Sequence, residues 1–241
     1  MKNILIIFSL ISTVVFSQIP SSTRVTKARD KYEPILKKEF KEKGLRFGSN
    51  VFLRIIKEES ILEIWVKKGE TYSHFKDYKI CDYSGGLGPK YEQGDGKSPE
   101  GFYFVKPNQL NPWSSYHLAF NTGYPNAFDK ANGYTGNYLM VHGDCCSIGC
   151  YAMTNEGVDE IYTVIYNSFK NGQAFFRLHI FPFRMTDENI NSHKNDNVDD
   201  VIIDYTEFHS FWRNIKTGYD MFELNKIPPN VSVRNKVYVF D

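Results

Sequence analysis

Two apolar runs, Val51–Ile56 and Ile61–Val66, flank the polar tetrapeptide Lys57-Glu58-Glu59-Ser60. Their β-branched and aromatic content predicts a hairpin. Tyr72–Ile80 alternates more loosely and reads as a third strand. Gly101–Val105, Tyr116–Asn121 and Phe175–Phe183 predict further strands, the last with Pro182 near its edge. Tyr138–Val141 is a short apolar run that delivers His142 to a strand end. Elsewhere the period changes to that of a helix. Tyr32, Ile35, Leu36 and Phe40 mark an amphipathic helix from about Thr26 to Gly44, with Pro34 disturbing its first half. Val158, Ile161, Tyr162, Ile165 and Phe169 fall at i, i+3, i+4, i+7 and i+11, one apolar face of a helix over about Glu156 to Asn171. Thr154 is its N-cap and Gly172 its end. Tyr205, Phe208, Phe211, Trp212, Tyr219 and Phe222 predict another helix, stopped by Pro228-Pro229, and Val231–Phe240 a final strand. The pattern is that of an α+β domain.

Between these elements lie two long loops. Ser84 to Gly101 is glycine-rich and contains Pro89 and Pro99, but lacks the Lys-Ser/Thr that would make it a phosphate cradle. Loops of this length in a compact domain tend to be functional. Gly123 to Gly136 carries Tyr124, Asn126, Asp129, Asn132 and Tyr134 just before the His142 strand, and reads equally as a wall or lid over Cys150 or as an ordinary solvated loop. Thr186 to Val201 is polar and reads as a solvated helix and linker. Its acidic residues, Asp187, Glu188, Asp196, Asp199 and Asp200, lack the glycine-punctuated spacing of a calcium loop.

Composition narrows the function classes. A formal charge of +1 over 241 residues gives no electrostatic case for nucleic acid or an anionic membrane. Lys2 and the apolar run Ile4–Phe16 form the n- and h-regions of a signal peptide, and Val15 and Ser17 place cleavage before Gln18. The run is too short for a comfortable permanent span; an uncleaved anchor is the rival reading. No Cys follows it to carry a lipid, and no later stretch approaches membrane-span length. The mature protein is therefore expected in the periplasm or otherwise outside the cytoplasm, with no stable membrane span.

The candidate chemistry lies in Val141–Asn155. His142 at a strand end and Cys150 at a helix entrance form a plausible nucleophile–base pair, because an imidazole and a helix N-terminus both lower a thiol's pKa. Gly143 and Gly149 allow close backbone approach, and the amides of Gly149 and Cys150 could bind an oxyanion. Three plainer readings compete. Each thiol could be a small buried hydrophobe, a disulfide partner, or a ligand in a zinc site of His142, Cys145, Cys146 and Cys150. The vicinal Cys145-Cys146 argues against zinc, since successive side chains diverge. His117, inside the expected Tyr116–Asn121 strand, reads as an ordinary strand histidine.

The run His142-Gly-Asp-Cys-Cys-Ser-Ile-Gly-Cys-Tyr-Ala-Met-Thr-Asn resembles the signature of the L,D-transpeptidase (YkuD-type) cysteine enzymes of the bacterial cell wall, and within them the YafK-like branch. Val51-Phe-Leu-Arg-Ile-Ile-Lys-Glu-Glu-Ser, Ser84-Gly-Gly-Leu-Gly-Pro-Lys, Ser98-Pro-Glu-Gly-Phe-Tyr, Tyr116-His-Leu-Ala-Phe-Asn-Thr-Gly-Tyr-Pro-Asn-Ala and Phe181-Pro-Phe-Arg-Met-Thr extend the resemblance over most of the mature chain. It implies a mixed β-sandwich or barrel-like catalytic domain over 48–184, with a helix after the catalytic Cys. An N-terminal helical segment (18–47) and a C-terminal extension (185–241) would flank it.

The resemblance also implies roles. Cys150 attacks a peptide carbonyl of a peptidoglycan stem, His142 moves the proton, and the Gly143 carbonyl orients the imidazole. Gly149 and Ser147 would serve the oxyanion and substrate, and no cofactor or metal is implied; Tyr124 and Tyr134 are candidate substrate contacts from the composition of their loop, not from the resemblance. An amine acceptor gives transpeptidation and water gives hydrolysis, so a peptidoglycan-anchored protein is a further candidate partner. The different-class alternative is a non-catalytic wall-binding module. Ile148 stands where most members carry His and Ala152 where they carry Arg, and the His-to-Cys spacing is shorter than usual. Outside the cytoplasm disulfides persist, so Cys150 is expected free and Cys81 paired with Cys145 or Cys146.

Overall fold

The computed structural model describes residues 18–198 and 201–241; the expected signal peptide, and Asp199 and Asp200, lie outside them. The chain begins with α1 (Thr23–Glu42), whose N-cap Ser22 accepts from the Val25 amide. Pro34 sits inside α1 without ending it, contrary to the expected disturbance. The missing amide is tolerated because Val25, Ala28, Tyr32, Leu36 and Phe40 still present one buried stripe.

A nine-stranded sheet follows: β1 (Val51–Ile56), β2 (Ile61–Lys68), β3 (Thr71–Tyr83), β4 (Gly101–Val105), β5 (Leu110–Asn111), β6 (Ala119–Asn121), β7 (Met140–His142), β8 (Tyr151–Met153) and β9 (Phe176–Phe181). Their spatial order is β4-β9-β1-β2-β3-β8-β7-β6-β5. The predicted β1–β2 hairpin is present, with Val51 opposite Val66 and Ile56 opposite Ile61. β3 is long enough to belong to both halves of the curled sheet, pairing with β2 along its start and with β8 at its end.

Strand alternation divides the core in two. Leu53 and Ile55 of β1 and Leu178 and Ile180 of β9 face α1 and α3 (Asn155–Lys170). Ile56 and Phe181 face the opposite side, where α5 (His209–Asn225) packs Trp212, Ile215 and Tyr219. The sheet is thus covered on both faces, which explains why β1 reads as a continuous apolar run. Arg54, the polar member of that run, is buried with its Nε donating to Glu63 at 2.6 Å.

Several expectations change. The Gly123–Gly136 loop contains a short helix, α2 (Ala127–Ala131), capped by reciprocal Asn126–Asp129 bonds. The solvated linker contains α4 (Asp187–Ser192) and a hairpin of β10 (Asn195–Val198) and β11 (Val201–Asp204). The single final strand is instead a hairpin, β12 (Val231–Arg234) and β13 (Val237–Phe240), turning at Asn235 and Lys236, both with positive φ.

Candidate active site

β7 and β8 run parallel with Val141 opposite Tyr151 and His142 opposite Ala152. Extending that register by one residue sets Cys150 beside Met140. Side chains two apart on a strand share a face, so Cys150 and His142 project from the same side, one diagonal apart. The alternate residues Val141 and Tyr151 fill the core on the other side. Two strands of three residues each therefore bring the pair together.

His142 is almost fully buried, and its Nδ1 lies 2.6 Å from the Gly143 carbonyl oxygen. A carbonyl only accepts, so Nδ1 carries the proton and the neutral ring leaves Nε2 as the acceptor. Gly143 is held in turn: its amide donates to the Tyr116 and Leu118 carbonyls. A Cβ there would lie 2.3 Å from Asn155 Oδ1 and 2.8 Å from the His117 Cβ, which makes glycine obligatory. The Tyr116 ring leans on the imidazole, with centroids 4.9 Å apart. Arg24 of α1 clamps this turn by donating to the Ser114 and His117 carbonyls.

Cys150 is free and partly buried. Among the described residues its Sγ takes the Met140 amide at 3.4 Å and faces the Tyr138 carbonyl at 3.8 Å; the His142 ring is not a hydrogen-bond partner. The Cys150 carbonyl receives Ser147 Oγ at 2.7 Å and Ser98 Oγ at 3.1 Å. Burial pushes the Cys150 thiol above its ordinary range, against the opposing pull of the Met140 amide and the Lys90 charge. The expected help from a helix N-terminus is missing, because β8 separates Cys150 from α3. Cys150 is a strand-entry residue, not a helix-entry one.

Cys81 and Cys145 form a disulfide with Cα atoms 5.2 Å apart, tying the end of β3 to the His142–Cys150 loop, and Cys146 is a free, exposed thiol. Of the two pairings left open by the sequence, this is the Cys145 one. With Cys145 oxidised, the four-ligand zinc reading fails, and among the described residues no group of three His, Cys, Asp or Glu is placed to hold a metal.

The profile of the L,D-transpeptidase catalytic domain, YkuD, matches residues 53–203. The chain is 52% identical over 202 residues to the protein named "Putative L,D-transpeptidase YafK" in two Escherichia coli strains, covering 84% of this chain and 77% of that one. This chain belongs to the YkuD family. Among solved structures, a point variant of the helical cell shape determining protein Pgp2 from Campylobacter jejuni aligns at 18% identity and a TM-score of 0.47. That alignment covers 81% of this chain and 83% of that one. Bd1075 from Bdellovibrio bacteriovorus aligns at 21% identity and 0.42, covering 78% of each chain.

Within this YkuD domain the other expected site residues separate. Ser147 Oγ accepts the Gly149 amide at 3.1 Å, so that amide is engaged and not free for an oxyanion in this conformation. Gly149 itself needs glycine, at φ +138°. Tyr124 is buried, its hydroxyl donating to the Lys90 and Thr135 carbonyls. It stitches the two long loops together. Tyr134 is half-buried against Tyr91 and Phe128. His117 is not in a strand: it sits at φ +63° with Nε2 2.7 Å from Asp159 Oδ1 on α3. The strand breaks there because the 114–118 turn folds back to receive the Gly143 amide. Ser98 and Tyr116 lie in stretches that carry the resemblance but were assigned no role, and Arg24 supports the site with no sequence signal pointing to it. Large apolar side chains at Tyr116, Tyr138 and Ile148 remain exposed around it.

Proposed function

We propose that this chain is an exported cysteine enzyme that acts on peptidoglycan stem peptides through a thioester at Cys150. The observation that carries the proposal is the His142–Gly143 hydrogen bond at 2.6 Å, on the same strand face as the thiol. It fixes the tautomer whose Nε2 can take a proton. Cys150 Sγ attacks the peptide carbonyl carbon as its proton passes to Nε2. The tetrahedral intermediate then collapses, the C–N bond breaks, and the imidazolium returns the proton to the departing amine. The thioester is resolved by an amine of a second stem, which gives a cross-link, or by water, which gives cleavage. A protein attached to the wall through a lysine amine is a substrate of the same chemical class. The disulfide and the N-terminal apolar run support an oxidising location outside the cytoplasm.

Mass spectrometry of defined muropeptides tests this, with and without a lysine-ended peptide attached to the stem, after incubation with the protein and with Cys150→Ala. New cross-linked or exchanged products lost in the variant identify a transpeptidase. Shortened products lost in the variant identify an amide hydrolase. No product with either protein, alongside retained binding to sacculi, would replace the enzyme reading with a wall-binding module.

A further inference from the structure

The chain is close to charge-balanced, with 29 Lys and Arg against 28 Asp and Glu, yet one end of the sheet is not. Four clefts there share lining residues and so form one belt. Asn50 and Lys67 join the first to its neighbours, Tyr72 and Arg177 join the third and fourth, and Gly172 to Ala174 join the second and third. Six cations line the belt: Arg46, Lys67, Lys68, Lys106, Lys170 and Arg177. None of them forms a salt bridge among the described residues. The belt's acidic residues are Glu70 and Asp241, both in one of the two clefts that Arg177 lines.

Arg177 is the centre of the belt. Its guanidinium lies 5.8 Å from the Phe104 ring and 5.5 Å from the Phe175 ring, and Nη2 donates to Asn230 Oδ1 at 2.8 Å. Nε is buried without a hydrogen-bond partner. Burial also pulls the group below its ordinary pKa range, as expected for a cation that lacks a counter-charge. A guanidinium set beside two aromatic rings, with donors left over and two clefts that it lines, is suited to a carboxylate.

The belt lies away from the thiol. α3 begins at Asn155, whose Oδ1 accepts the Asp144 amide beside the active site, and its far end, Lys170, lines the belt. Sixteen helical residues span about 24 Å. An extended peptide needs about seven residues to cover that distance, more than one stem peptide offers. A ligand in the belt therefore belongs to a different stem from the one at Cys150.

We propose that the Arg177 belt is a second, non-catalytic site that binds the carboxylates of a neighbouring peptidoglycan stem and holds the wall while Cys150 acts. This rests on the peptidoglycan reading above for the ligand's identity, although the site itself does not depend on Cys150 chemistry. The test is co-sedimentation of the full chain, as Cys150→Ala, with purified sacculi. Arg177→Gln and the exposed pair Lys67→Gln/Lys68→Gln should each lower retention by about tenfold, and added salt should weaken the parent most. Introduced into the chain with Cys150 intact, the same substitutions should leave turnover of a small soluble muropeptide unchanged. Because Lys67 and Lys68 are exposed, their pair guards against misfolding at Arg177 as the cause. Unchanged retention in both variants overturns the proposal. So does retention by phosphatidylglycerol vesicles that falls in the variants while sacculus binding stays intact, which would assign the belt to a membrane surface. Absence of muropeptide turnover together with Arg177-dependent retention would sink the enzyme reading and leave this site standing.

Discussion

Lys57 Nζ lies 2.9 Å from Glu100 Oε1 with both side chains wholly buried, and this pair fixes the loop on which the Cys150 backbone rests. Lys57 also donates to the Gly88 and Ser98 carbonyls. Glu100 takes the Gly88 amide on the same oxygen and Trp212 Nε1 on the other. Residues 98 and 99 then reach the site directly, Ser98 donating to the Cys150 carbonyl and Pro99 accepting from the Tyr151 hydroxyl. Burial pulls Lys57 below its ordinary pKa range and Glu100 opposes that pull.

Removing one partner leaves the other charge buried and unpaired. Lys57→Met is expected to cost about 3–5 kcal/mol of stability, as is Glu100→Gln through the lost ion pair and the stranded ammonium. The double variant should cost clearly less than the sum of the two. Urea denaturation of the four proteins measures this coupling, and simple additivity would show that the pair is not a unit.

The cysteines give a prediction that needs only a mass spectrometer. The native protein should take up two equivalents of iodoacetamide, Cys146 reacting before Cys150, and the reduced unfolded chain four. The Cys81–Cys145 bridge closes a loop of 64 residues, for which chain entropy alone suggests about 4 kcal/mol as an upper estimate. Cys81→Ala/Cys145→Ala should therefore lower the denaturation midpoint. It should also slow turnover, since Cys145 is anchored between His142 and Cys150. Uptake of four equivalents by the folded protein would remove the bridge from the structure.

How much of this was legible in the sequence depended on the range of the cause. The β1–β2 hairpin and α3 follow from local period, and His142 at a strand end follows from four apolar residues and a glycine. β8 did not show, because Tyr151-Ala152-Met153 is too short to carry a period, and its absence misplaced Cys150 at a helix entrance. Lys57 and Glu100 read as turn and loop charges. Only the arrival of α5 with Trp212, 112 positions from Glu100, buries them. The burial of Tyr124 is the converse case: an aromatic in a polar loop shows no sign of being covered until the partner loop folds over it. The second hairpin of the C-terminal extension rests on Asn235 and Lys236 in the left-handed region, a signal that was present and passed over.

Asp129 sets a pH dependence on the loop beside the site. It is buried, and burial pushes its carboxyl up to about 7 against the opposing Asn126 amide. The unfolded carboxyl ionises near 4, so the folded state favours the protonated form. The contribution is fully present below about pH 4 and is lost as pH rises through about 7, with an amplitude on the order of 4 kcal/mol. Asp129→Asn keeps an oxygen for the Asn126 amide without a charge to bury. Thermal melts from pH 4 to 8 should show the wild-type protein losing stability relative to this variant as pH rises. Parallel curves for the two would place the ionisation elsewhere.

The thiol's environment separates two ways in which Cys150 could be activated. A resting thiolate–imidazolium pair would react quickly with a small alkylating agent at neutral pH and would lose that reactivity without His142. Here burial raises the thiol's pKa and the imidazole does not hydrogen-bond to it, which favours a resting S–H and, in the proposed reaction, loss of the proton during attack. In a Cys146→Ser background, iodoacetamide should modify Cys150 slowly at pH 7, and faster as pH rises past the ordinary thiol range. His142→Ala should change that rate little. The proposed reaction, with His142 accepting the proton in the transition state, predicts that the same substitution lowers turnover by about 10²- to 10⁴-fold. Lys90→Met, which removes the cation that favours the thiolate, should move the alkylation midpoint to still higher pH. If His142→Ala instead abolished alkylation at pH 7, the pair would be pre-ionised, and the role of His142 would shift from accepting a proton during attack to holding a thiolate already formed.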